Sequence, residues 1–108
     1  MEPQAIDEAA GLLAKARLGR ARFAGLPDGR RPEGEAQAYA IQDALHAKLS
    51  AAGRGPLVGY KIGCTTAVMQ RFLGIDNPCA GGVLQSGVQR RDGSFRHADF
   101  LRVGVECE

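Results

Sequence analysis

Apolar side chains in the first half of the chain recur at helical spacing. Ile6, Ala9, Leu13 and Ala16 are separated by three, four and three positions, which places them on one face of a helix. Pro3 suits the first turn of that helix, where a missing N–H leaves no bond unmade. Asp7 and Glu8 near its start, and Lys15, Arg17 and Arg20 near its end, match the sign of the helix dipole. The stretch from Gly25 to Gly34, GLPDGRRPEG, is dense in turn formers and reads as a loop. A second helix is predicted from Glu35 to Ala52, with Ala38, Ile41, Leu45, Leu49 and Ala52 as its apolar stripe and Gly53 as its C-terminal cap. His46 falls off that stripe and reads as a surface histidine.

The second half changes period. Leu57 to Ile62, LVGYKI, is a strand candidate. Thr65 is placed to cap a short helix running through Phe72, with Gly74 ending it. Val68, Met69 and Phe72 on that helix read as core. Gly81 to Gln85 is a second strand candidate, and Arg91-Asp92-Gly93-Ser94 carries the Asp-Gly signal of a hairpin turn. Leu101 to Glu108, LRVGVECE, alternates as a strand does. The fold class expected is therefore α+β, with a helical section over 1–55 and a β-rich section over 56–108. No internal repeat or low-complexity tract interrupts either section.

Composition narrows the function classes. With 44% hydrophobic and 24% charged residues, the 108-residue chain has the balance of a small folded domain, not of a disordered one. No apolar run approaches the ~20 residues that a membrane span needs. The acidic start, with Glu2, Asp7 and Glu8, does not resemble a secretory signal, so a cytoplasmic protein with no membrane partner is expected. A net charge of +2 is too small to point to nucleic acid, and the basic residues of the helices read as a solvated face. Cys64, Cys79 and Cys107 form no CxxC pair; reduced thiols acting as small hydrophobes are the expectation, with Cys79 also a candidate reactive thiol.

The last strand candidate carries the first chemistry. Alternation puts Val103, Val105 and Cys107 on one face and Glu106 and Glu108, with Gly104, on the other. Two carboxylates two residues apart on a strand lie roughly 6–7 Å apart at Cα, close enough to converge on one hard cation such as Mg²⁺ or Mn²⁺. A wet acidic face explains the same spacing. Lys61 is the second candidate: it alternates away from Val58, Tyr60 and Ile62, and its ammonium either reaches solvent or sits in a polar site.

Several segments occur in a familiar order: Gly59-Tyr60-Lys61-Ile62-Gly63-Cys64-Thr65, then Met69-Gln70, Leu73-Gly74-Ile75, Pro78, Gly81-Gly82, and Val105-Glu106-Cys107-Glu108. Together they resemble the 2-keto-4-pentenoate hydratase group of the fumarylacetoacetate hydrolase superfamily. The likeness is detailed from about Gln37 onward and one of type only before it. It implies a helical N-terminal section followed by the start of a β-roll. It also implies Mg²⁺ or Mn²⁺ bound by three carboxylates, two of them Glu106 and Glu108 and the third beyond residue 108. The substrate implied is a small-molecule 2-oxo acid of aromatic catabolism. The reaction implied is addition of water to 2-hydroxypenta-2,4-dienoate.

The resemblance makes Lys61 an active-site residue that binds a substrate or enolate oxygen or moves a proton. It makes Thr65 and Thr66 substrate-binding, beside their reading as helix caps. Relatives are longer than this chain and tend to form homo-oligomers, so the expectation is an N-terminal fragment, inactive alone. One departure stands out. Where hydratases carry Pro-Asp-aromatic-Gly, this chain reads Pro78-Cys79-Ala80-Gly81. That leaves a decarboxylase or C–C hydrolase of the same superfamily, or a non-catalytic truncated product, as alternatives.

Overall fold

The computed structural model describes residues 1–108. Helix α1 (Pro3–Leu18) begins, as its sequence predicts, with Pro in the first turn. Its first turn holds no acidic residue; Asp7 and Glu8 fall one turn later. Its end differs from the pattern expected for glycine. Gly19 stays right-handed at φ −84°, and Arg20 takes the left-handed turn at φ 48°. The Ala21 N–H then reaches back to the Ala16 carbonyl at 2.9 Å. The Arg20 side chain compensates: Nη1 donates to the Ala98 carbonyl at 3.0 Å and lies 3.5 Å from Asp99 Oδ1.

Helix α2 (Glu35–Leu49) follows the predicted loop. Its start has no side-chain cap from Gly34; instead Gln37 Oε1 accepts from the Glu33 N–H at 2.8 Å. It leaves through a wide turn, Ser50–Arg54, in which Gly53 takes φ 92°, a value that suits glycine. Ala9 and Ala10 of α1 pack on Ile41 of α2, flanked by Ile6, Leu13, Leu26, Ala44 and Leu45. Small residues on α1 let the two backbones approach closely. Lys48–Asp7 at 2.7 Å and the Arg30–Glu8 pair brace the rim. The helix ends at Leu49 with Ser50 as its cap, not at Ala52 with Gly53, so Ala52 of the predicted stripe falls in the turn and is exposed; Ala38 in the first turn is exposed as well.

Strands β1 (Leu57–Gly63) and β2 (Cys79–Leu84) pair antiparallel, with a bulge between Leu57 and Gly59. Helix α3 (Ala67–Leu73) connects them and ends on left-handed Gly74 at φ 71°. The α+β class holds, as three helices and a two-stranded sheet. Helix α2 lies along β2. Ala80 N–H donates to Tyr39 Oη at 2.9 Å, and the Ala80 carbonyl accepts from Gln42 Nε2 at 3.2 Å. Both backbone groups of Ala80 are thus satisfied by a helix, which covers the free edge of β2 there.

Three expectations for the second half are corrected. Leu101–Glu108 forms no strand; the segment runs irregular and exposed, with no partner strand to hold alternate residues in a ladder. Asp92-Gly93 turns no hairpin, since no strand flanks it; short helical turns at Gln85–Gly87 and His97–Asp99 bracket the region instead. Val68, Met69 and Phe72 are exposed, because nothing packs over that face of α3. No helix is long and apolar enough to cross a membrane.

Candidate functional site

Lys61 sits in the middle of β1, opposite Gly81. Paired residues share a face, so Lys61 lies with Gly59, Gly81 and Val83, and Tyr60 and Ile62 lie on the other side. The lysine stem passes over Gly81, its Cγ 3.7 Å from where a Cβ would stand there, which is ordinary contact. The ammonium reaches out to the chain's last residue: Lys61 Nζ is 3.7 Å from Glu108 Oε1. Both side chains are more than half exposed, so an ion pair of this kind contributes at most about 1 kcal/mol. Its interest is placement. Two candidate residues from opposite ends of the second half meet.

The other candidates divide. Thr66, not Thr65, caps α3: its Oγ1 accepts from the Met69 N–H at 3.2 Å. The cap position falls one residue later than expected because Cys64 takes a left-handed turn at φ 55°, so the chain is still extended at Thr66. Thr65 is exposed. Glu106 is exposed on the irregular tail. The face shared by Glu106 and Glu108 was expected from strand alternation, and without the strand nothing enforces it.

The glutamates offer the hard oxygen donors that Mg²⁺ or Mn²⁺ prefers. Their arrangement does not complete a site. Glu108 faces an ammonium, and no three His, Cys, Asp or Glu side chains lie together as a metal-binding group. Two carboxylates, one of them paired with Lys61, are fewer donors than the shell of such a cation takes.

Around Lys61 lies an open cleft of about 1140 Å³. Arg17 reaches it from α1, Arg20 from the turn after α1, Arg54 from the turn after α2, and Arg102 from the tail. Asp99 is the one carboxylate in the lining, and it lies beside Arg20. Phe23, Phe95 and Phe100 add aromatic surface, the last two in an edge-on pair with centroids 6.2 Å apart. Arg20 is paired with Asp99 and Lys61 with Glu108, so Arg17, Arg54 and Arg102 leave the cleft with an excess of positive charge that attracts anions. Arg17, Arg20, Arg54 and Arg102 are all exposed, as the reading of a solvated face has it. No local spacing signalled this gathering, since Arg20 lies past the end of α1 in a left-handed turn and Arg54 and Arg102 come from distant segments.

His46 also lines this cleft and is half-buried, not a surface residue. A Cβ at Gly82 would lie 2.4 Å from His46 Cε1 and 2.4 Å from Leu57 Cδ1. The imidazole therefore packs where only a glycine leaves space. The sequence signal was Gly82 itself, since a glycine inside a strand marks close approach.

The cysteines depart from expectation. Cys79 and Cys107 are exposed and Cys64 is half-buried, so none behaves as a buried hydrophobe. The Cys79 Sγ lies over Gly63, 3.7 Å from where a Cβ would stand. A hydrogen bond with Cys79 pushes the Cys64 thiol pKa up, and desolvation and the nearby Cys79 charge add to the shift.

No protein-family model matches the chain, and no curated protein matches it.

Proposed function

We propose that this chain carries part of the active site of a divalent-metal-dependent lyase that adds water to 2-oxo acids of the 2-hydroxypenta-2,4-dienoate type. The observation that carries the reading is the meeting of Lys61 and Glu108 at 3.7 Å beside a cationic cleft. The motif order Gly59–Thr65 followed by Val105–Glu108 supports it from the sequence.

In this reading Lys61 holds the substrate carboxylate or an enolate oxygen through its ammonium, and the surrounding arginines draw the anion in. Thr66 is committed to its helix, which leaves Thr65 with the free hydroxyl to offer the substrate. Glu106 and Glu108 are two ligands of Mg²⁺ or Mn²⁺, and closing the coordination shell takes donors beyond those the fold brings together. A fumarylacetoacetate-hydrolase-like β-roll, a cytoplasmic setting and homo-oligomers belong to the same proposal.

A second reading, a related decarboxylase or C–C hydrolase, is favoured by Cys79 at the position where hydratases carry an aspartate. A non-catalytic product is favoured by the lack of any buried residue beyond Leu49. The test is a titration of the chain with 2-oxopent-4-enoate and Mn²⁺, followed by NMR. Shifts at Lys61 and Thr65, and paramagnetic broadening at Glu106 and Glu108, are expected. Weak metal affinity and no turnover by these 108 residues are expected as well. Shifts confined to α1 and α2, unchanged in Lys61→Met, would overturn the assignment.

A further inference from the structure

We propose that Cys64 and Cys79 form a dithiol site that exchanges with small-molecule disulfides and closes into an intramolecular disulfide across the open end of the sheet. Cys79 is the first residue of β2 and faces Gly63, the last residue of β1. Cys64 follows directly. Gly63 and Cys79 are the paired residues, and Cys64 is the diagonal neighbour of Cys79 one residue farther on. A ladder spacing of about 5 Å and a rise of about 3.4 Å put the two cysteine Cα atoms roughly 6 Å apart, within the range of about 4.4–6.8 Å spanned by disulfides. Regular alternation would turn Cys64 away from its neighbour. The left-handed backbone at Cys64, φ 55°, breaks the alternation, and the Cys79 Sγ lies over the adjoining Gly63, 3.7 Å from where a Cβ would stand. A non-glycine residue in that conformation is unusual, and it releases Cys64 from the face that strict alternation would give it.

Access and order follow from exposure. Cys79 is exposed and meets the oxidant first; Cys64 is half-buried and acts second. In the first step the Cys79 thiolate attacks one sulfur of an R–S–S–R disulfide, forming a mixed disulfide and releasing one thiolate. In the second, Cys64 loses its proton and attacks the Cys79 sulfur, releasing the second R–S⁻. Two protein thiols are oxidised by two electrons, and the small disulfide is reduced to two thiols. The new bond ties together the ends of a segment that contains all of α3, and it anchors the end of the strand that carries Lys61. The hydratase reading has no use for this pair, and the proposal stands without it.

The test uses the full chain with Cys107→Ser, which removes the exposed thiol on the tail. The protein is incubated with oxidised glutathione, quenched with acid and analysed by intact mass and by non-reducing peptide mapping. The expected product has lost two hydrogens and contains one linked peptide joining Cys64 to Cys79. Cys64→Ser should stop at a single glutathione adduct on Cys79. Closure should also raise the thermal midpoint, and dithiothreitol should reverse it. Two glutathiones on one chain with no linked peptide would overturn the proposal. So would a Cys64 that stays reduced while Cys79 accumulates as the mixed disulfide.

Discussion

The two halves of this molecule solve the burial problem differently, and only one solves it within the chain. Ala9, Ala10, Ala14, Ile41 and Leu49 are buried, and all belong to α1 and α2. From Ser50 onward no residue is buried. Tyr60 is 73% exposed and Phe72 81% exposed, although both are of a size that cores are built from. Two helices can cover each other with one apolar stripe apiece. A two-stranded sheet is marginal alone, because each face needs a layer laid over it. Here α2 touches β2 through Tyr39, Gln42 and His46, and it reaches no farther across the sheet than that. The helical pair is a small closed core, and the sheet depends on its single attachment to it.

The sharpest break of this contrast is a pair of truncations. Leu49→Ala removes a side chain that is 1% exposed and should lose about 2–5 kcal/mol, a large share of what a domain this small has. Ile62→Ala, at 67% exposed, should stay within about 0.5 kcal/mol. Urea unfolding of both variants checks the pair. Equal losses would mean that β1 has a covering layer in solution and that the halves are not different in kind.

The attachment comes next in size. Tyr39→Phe keeps the ring and removes the oxygen that accepts from Ala80 N–H. Leaving that part-buried N–H without a partner should cost about 1–2 kcal/mol. Hydrogen exchange should show it locally, with faster exchange at Ala80 and little change at Ile41. If the α2 amides speed up equally, the sheet contributes to the helical core and the comparison fails in the other direction.

The third variant pair tests a one-residue distinction within the weaker half. Thr66→Ala should cost about 1 kcal/mol and fray α3, since Thr66 Oγ1 is the cap. Thr65→Ala should leave the helix intact. Chemical shifts of Met69 and Gln70 separate the two.

How far the sequence revealed this structure follows the same division. The α1 stripe was legible because a helix is specified by contacts three and four residues apart, all present in the local pattern. The Gly74 stop was legible from a local glycine signal, and the two paired strands from short apolar runs bounded by turn formers. Alternation over Leu101–Glu108 was equally clean, yet no strand forms, because a strand needs a neighbour and the ladder stops at β2. The site shows the limit as well. Lys61 and Glu108 were each visible as chemistry, but their meeting depends on the course of an irregular tail. Arg54, Arg102 and His46 reach the cleft only through tertiary placement, which no local spacing encodes. The turn at Cys64 needed a left-handed residue that no propensity would have assigned to cysteine.

The smallest effect sharpens the comparison from the helical side through pH. The Arg30 side chain hydrogen-bonds the Glu8 carboxylate, and Gln4 adds a second bond, so the Glu8 pKa is held below the usual carboxylate range despite slight desolvation. A carboxylate with a lowered folded-state pKa stabilises the fold fully above its unfolded value. That contribution fades as the pH falls from the unfolded value through the lowered one. Glu8→Gln should therefore be less stable than the native chain at neutral pH, and the gap should close in acid within that window. The side chains are 35% and 40% exposed, so the gap should be small and should shrink in high salt. Melting across acidic pH of the native chain and of Glu8→Gln, followed separately by a helix signal and by the NMR signal of the Tyr60 ring, places the effect. It should appear in the helix signal. If it appears equally in the Tyr60 signal, the two halves unfold as one cooperative unit, and the difference in burial between them does not extend to how they come apart.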